Sequence, residues 1–365
     1  FSDDWENCNS PLLYEARLEA IRVGILRAAS NGFIIDDSYE DDNHGIETRC
    51  DYPSFNNGMM VDRYVDVITM ITTQTEPIFV KLFYPDTIES VVDAVARIRP
   101  RQPPAYGRAI VALNDAPCSG NTTGVNVDRD LQLSIQRGGI FSNGCLAGDG
   151  ANYEAIVQDG GVTYVGDASG FMNFVDEDGD SIVVQDVDTK LSAESLPIIQ
   201  PDCNLPAVTL THIDRSMTLE PGLYCITGED SNYAIKLAAR DFLAGEGVTI
   251  FIMQGGVDIS GGAVLDLRAP GDNPVNNAIS GVLFYILSEG KEINIEGTSS
   301  SSIVGLIYAP YSTVTLTGTA DADTPVNFST QVIGFNVNLR GNVRMNVIYD
   351  PDENWNLPTS LELAK

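Results

Sequence analysis

The chain has 365 residues, 43% of them apolar, enough to bury a full core and to exclude intrinsic disorder. Its 21 basic and 51 acidic residues leave a formal charge of −30, which repels phosphate backbones and anionic lipid and argues against nucleic-acid or membrane-surface binding. No apolar run reaches the roughly 18 residues of a membrane span, and runs such as 248–253 and 282–287 are strand-length.

The sequence opens at Phe1 with no basic stretch and no apolar leader, so any signal or anchor is expected to be already missing. Residues 10–31 predict a helix: Ser10 caps it, Pro11 sits where its missing N–H costs nothing, and Asn31-Gly32 stops it. Ala16, Ala20, Gly24 and Ala28 form a small-residue stripe at i+4 spacing, flanked by Leu13, Ile21 and Ile25. Packing of this stripe on the helix's own domain is favoured over a partner helix. Acidic residues 36–47 read as loop. Residues 64–73 and 78–84 alternate as two strands around a turn at 74–77. Apolar residues at 88, 91, 92, 95 and 98 predict a second amphipathic helix over 88–99, stopped by Pro100, Pro103 and Pro104. Residues 1–107 therefore read as an N-terminal α+β module with an amphipathic helix at 10–31.

From Arg108 onward the texture changes to short apolar strands broken by glycine and asparagine, at 109–113, 131–135, 139–141, 153–157 and 162–165. Residues 166–206 are a polar, proline-bearing excursion from that pattern. In the second half a strand ending in glycine recurs: Asp258-Ile259-Ser260-Gly261, Asn294-Ile295-Glu296-Gly297, Thr315-Leu316-Thr317-Gly318 and Asn338-Leu339-Arg340-Gly341. Its glycines are 36, 21 and 23 residues apart, and an apolar strand precedes each, at 248–253, 282–287, 304–308 and 332–337. A period in the low twenties with one insertion, near 266–280, is the mark of a coiled strand solenoid. The expected fold class is mainly β: the α+β module, then a parallel β-helix (solenoid) over 108–349, then a polar C-terminal tail, 350–365. A sandwich or barrel is the alternative, but tight hairpin signals are scarce in this half, Gly255-Gly256 and Gly261-Gly262 being the candidates.

Six cysteines, Cys8, Cys50, Cys118, Cys145, Cys203 and Cys225, contain no CxxC pair, which argues for three disulfides in an oxidising compartment rather than zinc or redox chemistry. Of 15 connectivities, the nearest-neighbour set 8–50, 118–145 and 203–225 closes loops between adjacent elements. Hard oxygen ligands at Asp176, Asp178 and Asp180 alternate as a Ca²⁺ loop requires, but Ser181 and Val187 stand where an EF-hand needs Gly and Glu, and a solvated acidic turn is the simpler reading. No other cofactor is expected. Ser169 in Gly166-Asp167-Ala168-Ser169-Gly170 has the wrong offset for a nucleophile elbow, and His44 and His212 are the only histidines. Neither a GxxxxGK[ST] loop nor a helix-opening GxGxxG is present. Carbohydrate cleavage would need two carboxylates about 5–9 Å apart across one groove, and Asp258, Asp266 and Asp321 are the candidates. Asn121-Thr122-Thr123 and Asn327-Phe328-Ser329 are glycosylation triplets.

Several segments, taken in order, resemble the exported TadG-like proteins of the tight-adherence (Flp) pilus-assembly group. They are Ala94-Val95-Ala96-Arg97, residues 107–113 with Cys118, Gly138-Gly139-Ile140-Phe141-Ser142-Asn143, residues 219–225, and Gly305-Leu306-Ile307-Tyr308-Ala309-Pro310. The resemblance implies an α+β module followed by a glycine-punctuated β-rich region and transfers no catalytic residues. The family's membrane-anchor helix is expected to be already missing from this sequence. The expected function is that of an extracellular or cell-surface, non-catalytic structural protein in adhesion or pilus/filament-type assembly. Self-association (homo-oligomer or filament) is its expected partnership, alongside a cell-surface or polysaccharide partner. The alternatives are a carbohydrate-active lyase or hydrolase and a monomeric carbohydrate- or surface-binding module.

Overall fold

A computed structural model describes residues 11–35, 37, 45–51, 64–75, 88–118, 123–128, 131–148, 153–169, 172–182, 184–186, 189–196, 198–229, 232–319, 324–341 and 344–364. The chain is mainly β and divides into two compact units, one formed by residues 1–102 with 358–365 and the other by 103–357.

The first unit holds helix α1 (Pro11–Ser30) and an antiparallel sheet of Gly45–Asp51, Tyr64–Thr75, Ile88–Arg99 and Ser360–Leu363, in that order. The helix ends as predicted, with Gly32 at φ +87 beyond it. The second predicted helix is instead the Ile88–Arg99 strand. β-Branched residues at 88, 91, 92, 95 and 98 satisfy a helical spacing by coincidence, and cross-strand partners on both sides decide the outcome. In register, Val65 faces Ile98, Val67 faces Ala96 and Leu361 faces Ile98, so one sheet face is apolar. The opposite face carries the bidentate Arg97–Asp66 pair at 2.8 and 2.9 Å and the Arg99–Glu362 pair. The predicted polar tail thus returns as a strand of this sheet. The predicted strand at 78–84 lies outside the described residues.

The second unit is a large parallel sheet whose strands fall into three ladders. The first ladder runs Val208–Leu210, Gly222–Ile226, Val248–Ile252, Val282–Ile286, the start of Leu306–Gly318, the start of Val332–Gly341, Ile110–Ala112, the end of Gln132–Ser142, the end of Tyr153–Tyr164, and Val184–Asp186. The second begins at Tyr233–Leu237 and Gly256–Ile259 and ends at Cys145–Gly148 and Asp167–Ser169. The third begins at Met217–Leu219 and Phe242–Glu246 and ends with the first halves of Gln132–Ser142 and Tyr153–Tyr164, then Met172–Val175. The chain visits the ladders in turn, and the core fills with aliphatic side chains from all three, such as Ile250, Ile259, Leu267, Ile295, Leu316 and Val347. The glycine repeat has a direct structural meaning: Gly297, Gly318 and Gly341 are register partners on adjacent strands. Gly341 has φ +137, and a Cβ there would lie 2.5 Å from the Gly318 carbonyl oxygen.

Sequence order and spatial order differ at one place. The Val332–Gly341 and Arg344–Ile348 strands pair not with anything that follows them but with Ile110–Ala112, Val125–Val127 and Gln132–Ser142. Residues 208–348 and 108–186 are therefore two blocks joined at a seam, with later residues preceding earlier ones along the ladder. The predicted excursion at 166–206 is corrected accordingly. Strands Asp167–Ser169, Met172–Val175 and Val184–Asp186 continue the ladders, and the segment after them is a strap that returns along the first ladder. Nine strand spacings of about 4.8 Å separate its ends, roughly 43 Å, within reach of a 21-residue strap spanning up to about 70 Å.

The strap's contacts follow that path. Lys190 pairs with Asp115 at 3.1 Å. Asn143, buried, accepts from the Leu191 N–H at 2.8 Å and donates to the Leu191 and Leu113 carbonyls. The Tyr308 hydroxyl donates to the Ala193 carbonyl at 3.5 Å, Cys203 is bonded to Cys225, and Asn277 donates to the Pro206 carbonyl. Buried Leu191, Leu196 and Ile198 belong to it. Along the first ladder Cys225, Phe251, Tyr285 and Tyr308 are in register and all buried, with ring centroids 5.6 and 5.1 Å apart. A second cover on this ladder explains why its strands read as uninterrupted apolar runs while the other two alternate.

Candidate functional site

Among the described residues of the first unit, several apolar side chains are exposed. Helix α1 meets the sheet through Arg17 and Gly24, and Leu13 is buried. Arg17 donates to the Thr48 side chain and carbonyl at 3.0 and 2.9 Å. A Cβ on Gly24 would stand 2.2 Å from Ile46 Cδ1, so the glycine of the small-residue stripe is the point of close approach. Ala16 of the same stripe is exposed. On the outward side Tyr14, Leu18, Val23 and Leu26 are about half exposed, which makes the helix apolar on more than one face. Val92, Leu361 and Leu363, on the apolar face of the sheet, are 66%, 73% and 81% exposed. The outward row is spaced in sequence as Tyr14, Leu18 and Leu26, at multiples of four, beside the more regular small-residue stripe.

Two predicted disulfides are present, Cys118–Cys145 and Cys203–Cys225, and Cys50 is also disulfide-bonded; Cys8 lies outside the described residues. The described residues contain no free cysteine. Asp176, Asp178 and Asp180 lie in one exposed turn. Asp176 Oδ1 accepts from the backbone N–H groups of Asp178 and Asp180 at 3.0 and 2.8 Å, so this carboxylate organises its own loop. Among the described residues no three acidic, histidine or cysteine side chains gather as a metal-ligand group.

Asp258 stands on the second ladder and Asp266 on the third; Asp321 lies outside the described residues. His212 pairs with Asp214 at 3.4 Å, both exposed, and His44 is outside the described residues, as is Asn121. Ser169 ends a three-residue strand rather than a strand-to-helix turn. Asn327 is exposed on a strand and accepts from Asn346. No helix among the described residues is long and apolar enough to cross a membrane.

Where the first ladder turns into the second, an open cleft of about 590 Å³ is lined by Asn232, Met253, Gln254, Ser288, Glu289 and Lys291, among others. Ser288 donates to the Gly255 carbonyl at 2.7 Å, and Ser312 donates to that of Ser288, which ties successive turns together. Met253, Tyr311 and Phe335, each about 40% exposed, lie along the same corner. Their spacing in sequence carries no period, so only the ladder register brings them together. Elsewhere Arg108 is buried and donates to the Gly138 and Gly161 carbonyls, and burial pushes its guanidinium down to about 10.

Comparison of the chain with protein-family models, with curated proteins and with solved structures yields no match.

Proposed function

We propose that this chain is an extracellular, non-catalytic structural protein built on a parallel β-helix, acting in cell-surface adhesion or pilus-type assembly by association with further copies of itself. The observation that carries this reading is the set of exposed apolar side chains among the described residues of the first unit, Tyr14, Leu18, Val23 and Leu26 on the helix and Val92, Leu361 and Leu363 on the sheet. Apolar patches of this kind mark interaction sites, and a charge of −30 demands a sizeable apolar contact before like-charged copies associate. The cyclic visiting of three parallel ladders supports the β-helix, and the disulfides support an oxidising, exported setting. The order of an α+β unit before the strand ladders supports the likeness to TadG-like proteins.

Light scattering and negative-stain imaging at physiological salt test the reading. The full chain is expected to form oligomers or filaments, and a Leu18→Glu, Leu26→Glu variant or a chain lacking residues 1–30 is expected to stay monomeric. A full-length chain that remains monomeric at high concentration, with Ca²⁺ and salt present, overturns it. A monomeric surface- or carbohydrate-binding module is the second reading, favoured by the exposed Met253, Tyr311 and Phe335 beside the polar cleft. Glycan binding that Tyr311→Ala and Phe335→Ala abolish would select it.

A further inference from the structure

We propose that the chain exchanges halves with a second copy of itself, opening at Ser192 and re-forming the seam between chains. This partnership rests on strand pairing across the seam rather than on the exposed helix row Tyr14, Leu18, Val23 and Leu26. The geometry divides the described molecule into residues up to 191 and residues from 193. The first half contains Ile110–Ala112, Val125–Val127 and Gln132–Ser142, and the second contains their partners Val332–Gly341 and Arg344–Ile348. The remaining strand of the first unit follows the same division, since Ser360–Leu363 pairs with Ile88–Arg99. Cys118–Cys145 lies within the first half and Cys203–Cys225 within the second, so neither bond crosses the division.

The strap passes from one half to the other at a single exposed residue. Leu191 is held by Asn143 of the first half, and Ala193 is touched by Tyr308 of the second. Ser192 between them opens a short turn closed by its reciprocal bonds with Ser195. From there to Cys203, the next covalent anchor, the released chain extends about 35 Å, a span on the scale of a neighbouring copy.

The seam supplies the specificity for such an exchange. Its pairs are more than 200 residues apart in sequence, whereas adjacent strands elsewhere in the ladders are typically 20–36 apart. Polar side chains cross it in one register. Asn114 donates to Asn336 Oδ1 at 2.8 Å, and the same oxygen accepts from the Gly124 N–H. Gln331 donates to the Pro104 and Arg108 carbonyls, and Arg344 donates to Gln132 at 2.9 Å. A second copy offers an identical set, so every seam pairing is restored between chains; the released segment gives up the Ala193–Tyr308 contact and the burial of Leu196 and Ile198, but no ladder pairing. Reciprocal exchange closes a dimer, and non-reciprocal exchange continues as a filament.

A disulfide across the seam reads which chain supplies each side. Gln132 and Arg344 are exposed register partners, so a Gln132→Cys, Arg344→Cys variant of the full chain places two thiols within disulfide reach. The variant is unfolded, refolded over a range of concentrations, oxidised and separated by size, and each fraction is run on a non-reducing denaturing gel beside the wild type. The expected result is covalent dimers and higher species in the oligomer fraction, increasing at least several-fold with refolding concentration. Oligomers that resolve into internally cross-linked monomers overturn the exchange while leaving assembly through the first unit standing. Absence of any oligomer fraction overturns both. Asn126→Cys with Asn338→Cys, also register partners across the seam, gives the same readout if the first variant does not fold.

Discussion

Asn143→Ala isolates the attachment of the strap to the parallel ladders. Asn143 is 2% exposed and makes three hydrogen bonds, to both backbone groups of Leu191 and to the Leu113 carbonyl. At a net worth of about 1 kcal/mol each, the loss is roughly 3 kcal/mol, and leaving the Leu191 N–H buried without a partner carries it toward about 4 kcal/mol. In a unit of this size that lowers Tm by roughly 6–16 °C. Calorimetry measures the shift, and limited trypsin digestion reports whether Lys190 becomes accessible. Asp115→Asn is the control, because the exposed Lys190–Asp115 pair is worth about 0.5 kcal/mol or less. A Tm drop under about 2 °C with unchanged protection at Lys190 would refute the strap's anchoring role.

Gly139→Ala should destabilise far more than Gly290→Ala: both have positive φ, but a Cβ at 139 falls 2.1 Å from the Gly161 carbonyl oxygen while that at 290 meets open space. Paired urea melts of the two variants check this, with about 1–2 kcal/mol expected for Gly290→Ala. Phe284→Ala empties a fully buried site in the core and should cost about 3–5 kcal/mol by the same measurement. Burial raises the phenol pKa values of Tyr285 and Tyr308 above their ordinary 10. The folded chain then holds protons that the unfolded chain releases, so stability is expected to fall as pH rises above 10. Thermal melts between pH 8 and 11 should show that slope, reduced in Tyr308→Phe; an identical slope in the variant refutes the assignment.

Much of the strand architecture was legible in the residues themselves. The Asx-or-Thr, aliphatic, glycine repeat at 258–261, 294–297, 315–318 and 338–341 marks strands that stack directly on one another, Gly297 on Gly318 on Gly341. Contacts between near neighbours in sequence leave a period because each turn places an inward aliphatic side chain in the same register, and at Gly341 the next strand's backbone leaves no room for a Cβ. The cysteine pairs 118–145 and 203–225 are local in the same sense. The helix α1 limits follow from Pro11 and Gly32. The apolar patch on that helix was also visible in part, as the i+4 spacing of Tyr14, Leu18 and Leu26.

Three features were decided by tertiary structure alone. The 88–99 segment satisfies helical and strand patterns together, and only its partners Tyr64–Thr75 and Ser360–Leu363 select the strand. The corner row of Met253, Tyr311 and Phe335 exists because ladder register aligns turns of unequal length. The seam is the clearest case. Val332 and Ile110 look like any other pair of aliphatic strand residues, and nothing within 30 residues of either specifies the other. Sequence periodicity records what a strand requires of its neighbour, an apolar side chain in register, but not which distant segment supplies it; that choice is made by the end-to-end fit of the two blocks and by a strap long enough to let the later one precede the earlier.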